Sequence, residues 1–266
     1  MEDNQPQYWD SVWSRPQNRE ADIQLFNKRE TSVLWSNMKE EICKVYGREN
    51  LNGLSSIEIG AGAGEFSAVM AKNSIDVTLL DYSPLSKIRA EAYFKNNSLS
   101  FKEHISCNAL KLDATLKGKY DIACSFGVAE HFKGEERLQM LKSHAELLKP
   151  GGIFFISVPN KLNLPYITYK GIMEFLGKWE VEEYPYSPME LSKSLRKVGI
   201  KNVDFFGDSF RSSFKWLYFI PAQLEQKINI NFFTKLSEQN NKKFKKSIFD
   251  KYFSYALVAF GKNERD

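Results

Sequence analysis

Gly60, Gly62 and Gly64 alternate through SSIEIGAGAGEF (residues 55–66), and the carboxylates Asp81 and Asp113 follow downstream. Glycine is required where φ is positive or where a ligand must touch the backbone. A strand that enters a helix through such a turn aims backbone N–H groups and the helix N-terminus at a ligand, which is how open α/β sheets bind nucleotides. The dinucleotide fingerprint GxGxxG wants glycine where this chain has Glu65. A carboxylate there would repel a pyrophosphate, so the GxGxG turn suits a ligand without phosphates. Asp81 falls 21 residues after Gly60, where a carboxylate can accept from both ribose hydroxyls. That argues for an adenosine-type ligand without separating nicotinamide dinucleotides from S-adenosyl compounds. Asp113, in NALKLDATL, could accept from an adenine exocyclic amine, with the Ala114 backbone near the ring.

The elements that would position these residues read from periodicity and caps. Apolar residues spaced near 3.6 predict a helix over 20–46, ended by Gly47. Strands are expected at 55–59, 75–80, 99–107, 120–126 and 152–158, with helices at 64–72, from Ser83-Pro84 onward, and at 135–148. Pro150-Gly151-Gly152 is read as the stop of that last helix. Helix and strand alternate, so the fold class is α/β, a parallel sheet with helices on both faces. Beyond it come a helix around 165–178, the loop EVEEYPYSP, a helix at 187–199, a strand in IKNVDFFG, a stretch over 208–249, and a last strand in YFSYALVAFGKN.

The chain has 266 residues and a net charge of +4, enough length for a proper core and too mild a charge to imply nucleic acid. Cys43, Cys107 and Cys124 form no CxxC pair, and are read as buried thiols in a reducing compartment. MEDNQPQYWD is no signal peptide, and no apolar run reaches the ~18 residues of a membrane span. A cytoplasmic protein is expected.

IEIGAGAGEF, Asp81, Asp113-Ala114, FGVAEHF and LLKPGGIFFISVPN, in that order, resemble the class I S-adenosylmethionine-dependent methyltransferases over roughly residues 50–207 and the final strand. The resemblance implies a Rossmann-like seven-stranded sheet of order 3-2-1-4-5-7-6 with its last strand antiparallel, and S-adenosylmethionine as cofactor. It implies that Gly60, Ala61, Gly62 and Gly64 line the methionine part, with Glu58 beneath the loop or near the cofactor ammonium. It puts Asp81 on the ribose, Tyr82 beside the adenine, Asp113 and Ala114 flanking the adenine, and Phe126 and Gly127 at the reactive end. Residues 1–49 would form a helical segment closing over the cofactor through Tyr8, Trp9 and Trp13. Residues 50–266 would form the catalytic domain, with cap insertions at about 160–186 and 208–249.

Methyl transfer to oxygen often needs a base. Of His104, His131 and His144, only His131 in AEHF follows the fourth strand, at the edge where an acceptor enters. Glu130 is a second contact there. The [DN]PP[YF] motif for exocyclic amines of bases is absent, and no metal-ligand spacing occurs. Tyr166, Tyr169, Trp179, Tyr184, Tyr186, Phe210, Arg211 and Trp216 could line an acceptor pocket. FKWLYFIP followed by KKFKK could touch an anionic membrane peripherally. The expected function is methylation of an oxygen or nitrogen of a small molecule: a sugar, a lipid-linked or a natural-product intermediate. RNA or protein acceptors and a non-catalytic cofactor-binding subunit are the alternatives.

Overall fold

A computed structural model describes residues 5–216 and 247–264. Most of the second insertion and of the basic run at 240–247 lies outside the described residues. Three helices lead: α1 (Gln5–Trp13), α2 (Arg19–Glu30) and α3 (Val33–Tyr46). Then follow β1 (Ser55–Ile59), α4 (Glu65–Lys72), β2 (Asp76–Asp81), α5 (Pro84–Asn96), β3 (Glu103–Ser106), β4 (Tyr120–Phe126), α6 (Gly134–Leu147) and β5 (Leu148–Pro159). The chain continues with α7 (Leu164–Phe175), α8 (Pro188–Lys197), β6 (Asp204–Gly207), α9 (Ile248–Phe253) and β7 (Ala256–Lys262).

The described strands form one seven-stranded sheet in the order β3-β2-β1-β4-β5-β7-β6. The first five run parallel, and β7 pairs antiparallel with both β5 and β6. This is the expected Rossmann-like topology. Strand order reverses between β1 and β4, which is where such sheets open a crevice at their carboxyl ends. Side chains alternate between two cores. Ile153 and Phe155 pack with Met38, Phe66 and Phe94 on one face, while Phe154 and Ile156 pack with Met140, Leu141 and Leu191 on the other. A sheet covered on both faces needs near-continuous apolar strands, which is what IFFISV supplies.

Four expectations are corrected. The helix over 20–46 is two helices: Ser32, extended at ψ 148°, accepts the Trp35 N–H on its Oγ and restarts the chain as an N-cap. Such a cap contributes about 1 kcal/mol. Pro150-Gly151-Gly152 does not end α6. The helix ends at Leu147, and the β4–β5 ladder passes from Tyr120–Leu148 to Ile122–Ile153, so residues 149–152 bulge within the strand. Gly151 at φ +76° donates its N–H to Asn263 O at 2.8 Å, which ties the bulge to the end of β7. The strand expected in IKNVDFFG shrinks to Asp204–Gly207, and α9 precedes β7. Cys124 is buried, but Cys43 and Cys107 are only half-buried.

Candidate functional site

A cavity of about 260 Å³ opens at the carboxyl ends of β1, β2 and β4. Its floor is the glycine turn. Gly60, Gly62 and Gly64 all have positive φ, between +52° and +69°. A Cβ on Gly60 would lie 2.7 Å from Val128 Cγ2, and one on Gly62 would overlap the Trp13 ring. The turn is therefore built of glycine both for its backbone and for the close approach of what stands over it. Gly60, Ala61 and Glu58 line the cavity.

Two carboxylates brace this floor. Glu58 Oε2 accepts from the Ser67 N–H at 3.1 Å and the Ser67 hydroxyl at 2.6 Å, so it fastens β1 to α4. Burial raises its pKa to about 8 against those hydrogen bonds. Asp81 Oδ2 accepts the Gly62 N–H at 2.9 Å, and its Oδ1 accepts the Ser83 N–H at 2.9 Å. One side chain thus links the turn after β1 to the turn after β2. Burial raises the Asp81 pKa, opposed by those two N–H groups. Tyr82 beside it is 44% exposed and also lines the cavity. Glu65 is not a bare carboxylate: Arg29 of α2 pairs with it at 2.7 Å at the cavity rim.

The opposite wall is the end of β4. Phe126 stacks on Phe66 at 4.3 Å between centroids, and Gly127 at φ +73° turns the chain into a short 3-10 turn, Ala129–His131. His131 lines the cavity; its Nδ1 faces the Glu182 carbonyl at 2.8 Å. A carbonyl only accepts, so a neutral ring bonded there carries its proton on Nδ1. Burial lowers the His131 pKa, against the Glu182 and Gly127 carbonyls. Glu130 is 3% exposed and buried behind Gly127, and burial pushes its carboxyl well above the usual range.

α1 closes the top. Trp9 stacks on Trp13 at 6.0 Å and meets His131 edge-on at 5.3 Å, and both indoles line the cavity. Asp10 accepts the Ser83 hydroxyl at 2.5 Å, and Tyr8 donates to Glu180 at 3.3 Å. The loop 180–186 is fastened beside the site: Tyr184 N–H donates to Glu130 O, and Tyr186 bridges in parallel to Asn160 after β5.

Some expected site residues lie elsewhere. Asp113 is exposed and caps a 3-10 turn by accepting the Thr115 N–H at 2.7 Å; neither it nor Ala114 lines the cavity. Asn108 and Ala109 line it instead. They follow β3 directly, and the boundary of that strand was the signal that could have found them. Arg29, Val128 and Phe132 were also missed, each belonging to the wall only through tertiary packing. None of the expected cap residues lines the cavity. Tyr166, Tyr169, Trp179 and Trp216 pack together with Tyr255, Tyr184 lies under Lys133, Phe210 packs on Phe249, and Arg211 is exposed. His104 meets Ser86, and His144 joins Ser125 to the Met140 carbonyl, both away from the cavity.

The fit to an adenosine ligand is chemical: an acidic acceptor, a glycine cradle without side chains, and aromatic walls meet in one cavity. A methyltransferase-domain family model matches residues 34–235. A ubiquinone biosynthesis O-methyltransferase of Brucella anthropi is 24% identical over 210 residues, covering 74% of this chain and 81% of that protein. One from Cereibacter sphaeroides is 29% identical over 171 residues, covering 62% and 67%. Among solved structures, a possible histamine N-methyltransferase of Thermotoga maritima aligns with a TM-score of 0.55 at 16% identity, covering 92% and 93%. The magnesium protoporphyrin IX methyltransferase of Synechocystis, solved with bound S-adenosylhomocysteine, gives 0.51 at 19%, covering 74% and 85%.

Proposed function

From the premise that this chain belongs to the class I S-adenosylmethionine-dependent methyltransferases, we propose that it methylates a small-molecule acceptor at the end of β4. Its cofactor is S-adenosylmethionine. The observation that carries the assignment of the cavity is Asp81, whose carboxylate joins Gly62 and Ser83 at the cavity edge. We assign the ribose hydroxyls to Asp81, the methionine end to Gly60 and Ala61, and its ammonium to Glu58; Gly62, under the Trp13 ring, shapes the turn without lining the cavity. Gly64 lies behind the lining, holding α4 against Leu79 and Phe94. The adenine falls to Tyr82 with Asn108 and Ala109, in place of Asp113 and Ala114.

The bound cofactor supplies a methyl group on a sulfonium, a leaving group that needs no activation. What remains for the chain is alignment and dryness. Aligning two reactants can supply roughly 7–11 kcal/mol. Phe126, Gly127 and Val128 fix one side of the reacting end, and Trp9 and Trp13 exclude water from above. His131, on the cavity wall with its ring anchored to the Glu182 carbonyl, is assigned to take a proton from an acceptor hydroxyl. The names of the relatives favour oxygen as the methylated atom.

A screen with methyl-labelled cofactor tests this reading, with small phenols, alcohols and amines against bulk RNA and protein. Label in a small molecule is the expected result. Label in RNA or protein would move the acceptor class, and S-adenosylhomocysteine binding without any transfer would favour a non-catalytic subunit. His131→Ala should lose turnover while cofactor affinity holds; unchanged turnover would remove the base assignment.

A further inference from the structure

α7 carries two apolar faces, and only one of them is covered. Tyr166 and Tyr169 hold the covered face, packed against Trp179, Trp216 and Tyr255. Leu164, Ile172, Phe175 and Leu176 stand on the other, at spacings of 8, 11 and 12 residues from Leu164 that return to one side of a helix. All four are exposed, Phe175 at 90% and Leu164 at 73%, and Leu162 in the turn before the helix is exposed with them. Thr168 and Gly171, exposed between them, are small and uncharged. A lone exposed leucine is ordinary; a continuous apolar stripe marks a contact surface.

The charge around the stripe is positive. Lys161 precedes Leu162 and Lys178 stands just past Leu176, both exposed. Gly177 at φ +63° ends the helix, and the Lys178 N–H donates to Met173 O at 2.8 Å, which fixes Lys178 at that end. Glu174, the carboxylate of α7, is already paired with Lys170. The shape narrows the occupant further. A side chain nine-tenths exposed projects from a convex surface. Five side chains along one helix also fall well short of the roughly 20–30 residues a side of a stable protein interface. A projecting apolar strip about 18 Å long, with a lysine at each end, matches the boundary layer of a bilayer. There apolar side chains enter the acyl region and lysines meet anionic headgroups.

We propose that the exposed face of α7 docks on an anionic phospholipid surface. This surface is separate from FKWLYFIP and KKFKK, where the sequence suggested a membrane contact. Glu180, just beyond Lys178, accepts the Tyr8 hydroxyl of α1 at 3.3 Å, so the docked face adjoins the helix that closes the cavity. The contact does not depend on which acceptor the cavity takes.

Flotation of the full chain with vesicles tests this, using phosphatidylcholine alone and phosphatidylcholine with about 30% phosphatidylglycerol, at about 0.15 M salt. Partition onto the anionic vesicles is expected to exceed that onto the neutral ones by about tenfold. Leu164→Ser/Phe175→Ser should lower it at least about tenfold, while S-adenosylhomocysteine affinity stays within about twofold, because neither side chain is buried or lines the cavity. Lys161→Gln/Lys178→Gln should remove most of the preference for anionic vesicles. A wild-type chain that stays off anionic vesicles at about 1 mM lipid, or binds both compositions equally, overturns the proposal. So does binding that both variants leave unaltered, which would put the contact on another part of the chain. A wild-type dimer in sedimentation equilibrium that Leu164→Ser/Phe175→Ser dissociates would assign the face to a second copy and overturn it as well. Should the serine variant fail to fold by circular dichroism, the lysine variant and the comparison of vesicles decide.

Discussion

At the residue scale, the proposed adenine seat turns on two candidates after β3 that sit five positions apart. Asn108 uses its side-chain carbonyl on the Leu110 N–H and lines the cavity, whereas Asp113 turns out to solvent. Asn108→Ala should weaken S-adenosylhomocysteine by about tenfold, the loss of roughly one hydrogen bond to ligand. Asp113→Ala should leave affinity unchanged, as read by calorimetry on both variants. Equal losses would return the adenine to Asp113. The sequence carried the glycine turn and Asp81 because backbone conformation and strand ends are local properties. It does not separate Asp113 from Asn108, because both follow β3 and only the packing of the loop turns one to the cavity and the other to solvent. Arg29 could not be read from sequence, since it reaches Glu65 only when α2 packs on α4.

The same logic applies to Gly62, whose φ of +52° and contact with Trp13 constrain it twice. Gly62→Ala should cost about 1–3 kcal/mol of stability through backbone strain and displaced ring. Denaturant unfolding followed by tryptophan fluorescence reads both effects together. A variant of unchanged stability would mean that Trp13 is easily displaced.

At the element scale, α6 is joined to β4 by His144, which bridges the Met140 carbonyl and the Ser125 hydroxyl. Burial lowers its pKa from 6.5 to about 4. The unfolded chain therefore binds a proton across that window while the folded chain does not. Stability is fully present above about pH 6.5 and falls as pH drops through 4, by on the order of 3 kcal/mol. Urea unfolding at pH 7, 5 and 4 should trace the fall, and His144→Gln should flatten this part of the slope. An unaltered slope in that variant would assign the acid loss to other groups.

The family resemblance set the aromatic residues of α1 over the cavity, but the partners that hold the helix there were not legible. Asp10 on Ser83, Tyr8 on Glu180 and Trp9 on His131 are contacts between elements far apart in sequence. Trp13→Ala should weaken cofactor binding several-fold while moving Tm by only a few degrees, because the indole covers the cavity and not the main core. A large fall in Tm with unchanged affinity would make Trp13 a packing residue.

At the scale of the whole molecule, the parallel sheet followed from the alternation of elements, and the strand order and antiparallel β7 from the family resemblance. The helix break at Ser32 and the bulge at 149–152 did not, because the first rests on one hydroxyl and the second on pairing between β4, β5 and β7. No described helix is long and apolar enough to cross a membrane. The FKWLYFIP and KKFKK stretches lie almost entirely outside the described residues. A fold that joins β1, β2, β4 and α1 around one cavity should be stabilised as a unit by its ligand. Ligand at about 100 times Kd adds roughly 2.7 kcal/mol, a Tm rise of about 5–10 °C for a chain of this size.

The most direct measurement is calorimetric titration of S-adenosylhomocysteine into the wild-type chain and into Asp81→Ala, with NAD as the control ligand. One site per chain of micromolar affinity, at least tenfold weaker in the variant, is the predicted result, with no heat from NAD. Binding of NAD in place of S-adenosylhomocysteine, or equal affinity in the two proteins, would contradict the assignment of this cavity as the cofactor seat.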